Sequence, residues 1–203
     1  IQKQNGKVFL EKEIREYLEE NIKRIKKEVP GIYSRYIVLK LLEERNPDIY
    51  YYEIKDFLKK NETKLDIDSQ KYFYDKLLYF CGINRKRKDL NKDEFLINKK
   101  LETKGVFKEK KFGYAEFINI VESALRQSEL NWSGKFIKEY GANINEFKQE
   151  TLAAANALLE LQKGNYDEAI IYANQIRNKN SYFKMIYKNL VKCQMKFKTA
   201  LEL

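Results

Sequence analysis

An all-α fold built of antiparallel helix pairs is predicted by three features of the sequence. Glycine and proline are scarce, with 8 Gly and 2 Pro among 203 residues, and both prolines (Pro30 and Pro47) fall in the first quarter. A β-sandwich or barrel needs far more turn punctuation than that. Apolar side chains recur at three- and four-residue spacing over most of the chain. Late in the sequence, Gly164-Asn165-Tyr166-Asp167-Glu168-Ala169 reads as a tight turn between two helices.

The first helix is expected over Lys7–Glu28, where Val8, Phe9, Ile14, Tyr17, Leu18, Ile22 and Ile25 keep helical spacing and Pro30-Gly31 closes the run. A second spans Ile32–Arg45, with Tyr33, Tyr36, Ile37, Leu39, Leu41 and Leu42, and stops at Asn46-Pro47. Asp48 is positioned to cap a third, which carries Tyr51, Tyr52, Ile54, Phe57 and Leu58. Asp68 or Ser69 caps a fourth that packs Tyr72, Phe73, Leu77, Leu78, Phe80 and Cys81 and ends at Gly82. Between Asn84 and Lys111 eleven Lys or Arg face five Asp or Glu, with a short helix from Lys92 to Thr103. Gly105 and Gly113 bracket a loop. These features divide the chain into an irregular helical-hairpin region over 1–104, a loop over 105–113 and regular repeats over 114–203. In the last region the expected helices are Tyr114–Gln127, Glu129–Tyr140, Asn145–Lys163, Tyr166–Arg177, Ser181–Met195 and one opening near Phe197. Tight connections leave antiparallel neighbours as the simplest packing.

The turn at Gly164 explains its own residues. Glycine takes the left-handed conformation that ends a helix without steric cost. Tyr166 fills the gap where two helices cross, and Ala169 lets them approach closely. The aromatic-x-x-small spacing recurs as Phe197 to Ala200, 31 residues later, and more weakly as Leu130 to Ser133, 36 residues earlier. Thr151–Ile176 resembles a tetratricopeptide repeat, with Ala157 at the small position of its first helix, Gly164, Tyr166 and Ala169 in the turn, and Ile176 where the family places a small residue. Tyr114–Leu203 is similar to the C-terminal part of large helical-repeat proteins of Bacteroidetes type, through Trp132, Lys135, Phe136, Ile137 and Tyr140 followed by Lys163–Ala169. The resemblance implies a bacterial, tetratricopeptide-like right-handed solenoid whose last repeat is truncated. Unit spacing drifts from 36 to 31, and the flanking turns lack the glycine.

Composition excludes more than it assigns. With no histidine, the chain has no His-based acid–base pair and no His-containing metal site. Asp66/Asp68 and Asp93/Glu94 have no base beside them, and no phosphate loop, dinucleotide fingerprint or nucleophile elbow occurs. The expectation is a non-enzymatic protein with no catalytic residue, metal or cofactor. Cys81 and Cys193 sit in apolar helical patterns and read as buried thiols. No apolar run reaches membrane-span length, and a cytoplasmic location is expected. Because the chain begins at Ile1 and ends within a helical pattern at Leu203, it reads as a fragment.

The expected role is therefore an interaction scaffold with another protein or peptide as partner. In such arrays the first helix of each unit lines a concave face. Here that face takes Ile118, Glu122 and Arg126, then Ala154 and Leu158, then Tyr182, Met185 and Asn189. The net charge of +10 raises nucleic acid as the alternative partner, contacted through 85–111 and above all Arg85, Lys86, Arg87 and Lys88. Lysine outnumbers arginine 32 to 8, which suits a solvated surface better than bidentate phosphate readout. Trp132 reads as core rather than as a partner anchor. Tyr50, Tyr51 and Tyr52 with Tyr33 and Tyr36 either line a stacking groove or fill helix contacts.

Overall fold

The computed structural model describes residues 12–44, 47–177 and 181–189, and every regular element among them is helical. Chain contacts separate two compact units, Ile1–Ile83 and Asn84–Leu203. The expected Phe197–Ala200 turn, Cys193 and the last truncated repeat lie outside the described residues.

In the first unit, helical residues 12–20 (α1) lead into α2 (Ile22–Glu28) through a turn at Asn21. The backbone ladder runs on through this turn, while the Asn21 amide nitrogen also donates to the Tyr17 carbonyl at 2.9 Å. A side chain competing for a helical carbonyl in this way loosens the turn around it. Pro30 does not simply stop the first helix, as the sequence suggests. It opens α3 (Pro30–Glu43) at the first helical position, and the break is at Val29 (φ −134°, ψ 67°). Proline disfavours helical geometry in the residue before it and is preorganised for a helix start itself.

Helix α4 spans Asp48–Asn61; Pro47 takes its cap position, and Asp48 instead sits in the first turn, where its charge complements the helix N-terminus. Helix α5 (Ile67–Ile83) is capped by neither Asp68 nor Ser69. Asp66 performs that job, accepting the Ser69 N–H at 2.7 Å and the Ser69 hydroxyl at 3.1 Å. Those bonds hold the Asp66 carboxyl below its usual range. Gly82 remains helical. Ile37, Leu41, Tyr51, Ile54, Leu58, Phe73, Leu77 and Phe80 form the core of this unit. Contacts run in order along neighbouring helices. Arg15 meets Glu43 and Glu19 meets Lys40; Tyr51 packs on Phe80, Phe57 on Phe73, and Glu62 accepts from Tyr74.

In the second unit α6 covers Lys88–Thr103, a full turn more than the sequence suggests at its start. Then come α7 (Tyr114–Leu125), α8 (Leu130–Tyr140), α9 (Lys148–Lys163), α10 (Tyr166–Ala173) and helical residues 181–189 (α11). Helix α9 packs against α7, α8 and α10. It starts three residues later than expected, because a 3-10 turn at Gly141–Asn143 and an isolated bridge between Phe112 and Ile144 occupy the chain first. The stretch 105–113 is non-helical, and its two phenylalanines belong to the core. Phe107 and Phe112 are buried among Phe117, Phe136 and Tyr140, with ring centroids 5.5–6.3 Å apart.

Three helices of this unit end in the same turn. At α9 the Gly164 N–H donates to Leu161 (3.1 Å) and the Asn165 N–H to Glu160 (2.9 Å), with Gly164 at φ 85°. This is the Schellman arrangement. It recurs at α6 around Gly105 (φ 75°), through bonds from Gly105 to Glu102 and from Val106 to Leu101. It recurs again at α7 around Ser128 (φ 59°), through bonds from Ser128 to Leu125 and from Glu129 to Ala124.

Candidate functional site

The outer face of α4 carries Ile49, Tyr52, Glu53, Asp56, Phe57, Lys60 and Asn61 at helical spacing, and the 3-10 turn after it adds Lys64. Lys26 at the end of α2 with Pro30 and Tyr33 of α3 forms the opposite wall. Together these elements enclose a groove of about 640 Å³. A cleft of this size falls in the range of ligand sites. Ile49 is 62% exposed and Tyr52 48%, so the groove presents apolar side chains that the unit's own core does not cover.

One side of the groove is fixed by a three-residue polar cluster. The Tyr33 hydroxyl donates to Glu53 Oε2, Lys26 Nζ donates to Glu53 Oε1 at 3.1 Å, and the same ammonium lies 4.8 Å from the Tyr33 ring centroid. Burial, then the bond to Glu53, pushes the Tyr33 phenol above its ordinary value. The Tyr33 side chain beside it, backed by Glu53, likewise keeps the Lys26 ammonium protonated to higher pH. Further along, Lys60 pairs with Asp56 at 2.6 Å. Lys64 is exposed and has no charged partner among the described residues.

Four of the five tyrosines divide between the two roles the sequence allows them. Tyr33 and Tyr52 line the groove; Tyr51 is fully buried with its hydroxyl 3.4 Å from Cys81 Sγ, and Tyr36 is buried too. Ile49, Phe57 and Lys64 were not recognisable as site residues beforehand. Their signal was the stripe at 49, 52/53, 56/57, 60 and 64, which changes from apolar to charged partway along and so does not read as a core face.

In the second unit the expected concave set is not one surface. Ile118 and Ala154 are fully buried, packed inside the helix layer, and cannot meet a partner. Leu158 is half-buried, while Met185 and Asn189 are exposed on α11. Glu122, Arg126 and Tyr182 instead converge with Arg85 around a buried carboxylate. Arg126 bonds Glu94 Oε2 at 2.7 Å and lies 3.5 Å from Glu122, which Arg85 approaches at 3.9 Å. Burial pushes the Glu94 carboxyl above its usual range despite the pull of Arg126 and Arg85. Burial raises the Tyr182 phenol too, with Glu122 adding to it. The Tyr182 ring packs 5.4 Å from Tyr114.

The basic run is thus partly neutralised. Arg85 faces Glu122 and Arg87 bonds Asp89 at 2.9 Å, while Lys86 and Lys88 are exposed. Trp132 stacks on Phe136 at 5.1 Å, makes a T-shaped contact with Phe95 and donates its indole N–H to Glu102 at 2.6 Å, so its ring and its polar edge are both engaged within the unit. Of the repeat positions, Ser133, Ala157 and Ala169 are buried, and Leu130 and Tyr166 are half-buried beside their turns. No helix among the described residues is long and apolar enough to cross a membrane. No protein-family model matches the chain, and no curated protein or solved structure matches it significantly.

Proposed function

We propose that the chain is a non-enzymatic helical-repeat scaffold that binds another protein or peptide, its helices paired antiparallel and stacked in the manner of tetratricopeptide repeats. The groove along α4 carries this reading, because it is an open, ligand-sized cleft with uncovered aromatic and aliphatic side chains and a built polar wall. Antiparallel pairing draws support from the contact order in which Arg15 meets Glu43 and Glu19 meets Lys40, and in which Glu94 meets Arg126 and Asn98 meets Ser123. The repeat reading draws support from three equivalences at a spacing of 36 residues: Ser128 with Gly164, Leu130 with Tyr166, and Ser133 with Ala169.

Photo-cross-linking from benzoylphenylalanine placed at Tyr52, followed by reconstitution with the purified partner, tests the scaffold role. The complex is expected to weaken at least tenfold with Ile49→Asp. A complex untouched by Ile49→Asp but lost with Met185→Glu plus Leu158→Glu would move the binding face to the second unit. Failure to reconstitute any protein complex would sink the scaffold reading.

A further inference from the structure

The groove also specifies what kind of partner fits it, an inference that rests on the scaffold reading above. Its floor and walls are helix faces, whose backbone groups are largely satisfied within their own helices. A strand that pairs through its backbone, as at a sheet edge, would find few partners here. An amphipathic helix has its own backbone satisfied and seats through its side chains. Along α4, from Ile49 to Asn61, the groove runs for about 18 Å at the helical rise, and the 3-10 turn carrying Lys64 continues it, roughly four turns in all.

Charge sets the polarity of the ligand along that length. Both Glu53 oxygens are occupied, one by Tyr33 and one by Lys26. Asp56 is taken by Lys60. Among the described residues, the charge in the lining left without a charged partner is the ammonium of Lys64, at the far end from Ile49 and Tyr52. We infer that the groove seats an amphipathic peptide helix of about four turns, apolar where it meets Ile49, Tyr52 and Phe57 and acidic where it meets Lys64. This is helix-in-groove recognition with a charge clamp at one end.

The probe is a displayed library of random 16-residue peptides panned on the whole chain, with recovered sequences synthesised and measured by fluorescence anisotropy. Recovered peptides should carry apolar residues at i, i+3 or i+4, and i+7, with Asp or Glu gathered at one end. Lys64→Glu should weaken them at least tenfold, and exchanging the peptide's acidic residues for Lys should restore binding to that variant. A proline at the peptide's centre should abolish binding. Peptides that are basic or uncharged, that tolerate Lys64→Glu, or that tolerate the central proline would overturn the acidic-helix assignment; if Ile49→Asp still removes them, the groove itself stands as a binding site. Recovered peptides indifferent to both Ile49→Asp and Lys64→Glu, or no recovered peptide at all, would overturn the assignment and the groove together.

Discussion

Ser128 holds a backbone conformation (φ 59°) that costs an L-residue about 1–2 kcal/mol and glycine almost nothing. Ser128→Gly is therefore expected to raise stability by about 1 kcal/mol in urea unfolding. The reverse experiment is Gly164→Val at the equivalent turn. No atom would crowd the new Cβ there, so the expected loss of about 1–2 kcal/mol comes from the positive φ alone. If Ser128→Gly is neutral and Gly164→Val melts like wild type, the shared geometry of the two turns carries no energetic weight. The Gly164 turn could be read from sequence because glycine advertises its conformation. At Ser128 the break between two helices could be read too, but not its left-handed conformation, which serine does not advertise.

At the scale of elements, the packing of α6 on α7 encloses one buried carboxylate. Glu94 is 4% exposed and its carboxyl is raised by burial, so the folded chain holds that proton to higher pH than the unfolded chain does. Stability from this group is fully present below the unfolded value of about 4.3 and is lost as pH rises through the higher folded value. Relative to wild type, Glu94→Gln should thus gain stability progressively as pH rises from about 4, measured by chemical denaturation across a pH series. A difference between the two proteins that stays constant with pH would refute this. Arg126→Met should cost about 2 kcal/mol at pH 7, because it strands Glu94 beside Glu122, a loss tempered by the partial solvation of Arg126.

The crossing between α6 and α7 makes a similar point in apolar terms. Phe112 is fully buried against four rings of the cluster, and Phe112→Ala is expected to cost about 3–5 kcal/mol. The helices on either side were legible because their periodicity repeats over several turns. The connection was not, since GVFKEKKFG is dominated by lysine and glycine, and only the packed chain brings its two phenylalanines to one place.

Taken whole, the chain carries a net charge of +10, which internal ion pairs leave unchanged, but within 85–111 such pairs engage Arg85, Arg87 and Lys110. A 20-base-pair duplex should consequently bind no tighter than the non-specific range of about 10⁻⁴–10⁻⁶ M at physiological salt, and the affinity should fall steeply as salt is raised. Tight or sequence-selective binding in the same anisotropy titration would favour the nucleic-acid reading of 85–111. The helical class of the fold was readable from composition and periodicity. The groove was not, because Lys26, Tyr33 and Tyr52 come from three separate helices and their meeting depends on where Val29 and Pro30 turn the chain.

The burial of Phe107 and Phe112 has a practical consequence for anyone cutting this chain into smaller pieces. A boundary at Tyr114, where the regular pattern begins, leaves behind both rings and the backbone bonds that tie Phe112 to Asn143 and Asn145. Such a piece would present Phe117, Phe136 and Tyr140 to solvent as a sticky patch and would be prone to self-association during purification. Starting at Asn84 keeps the ring cluster whole.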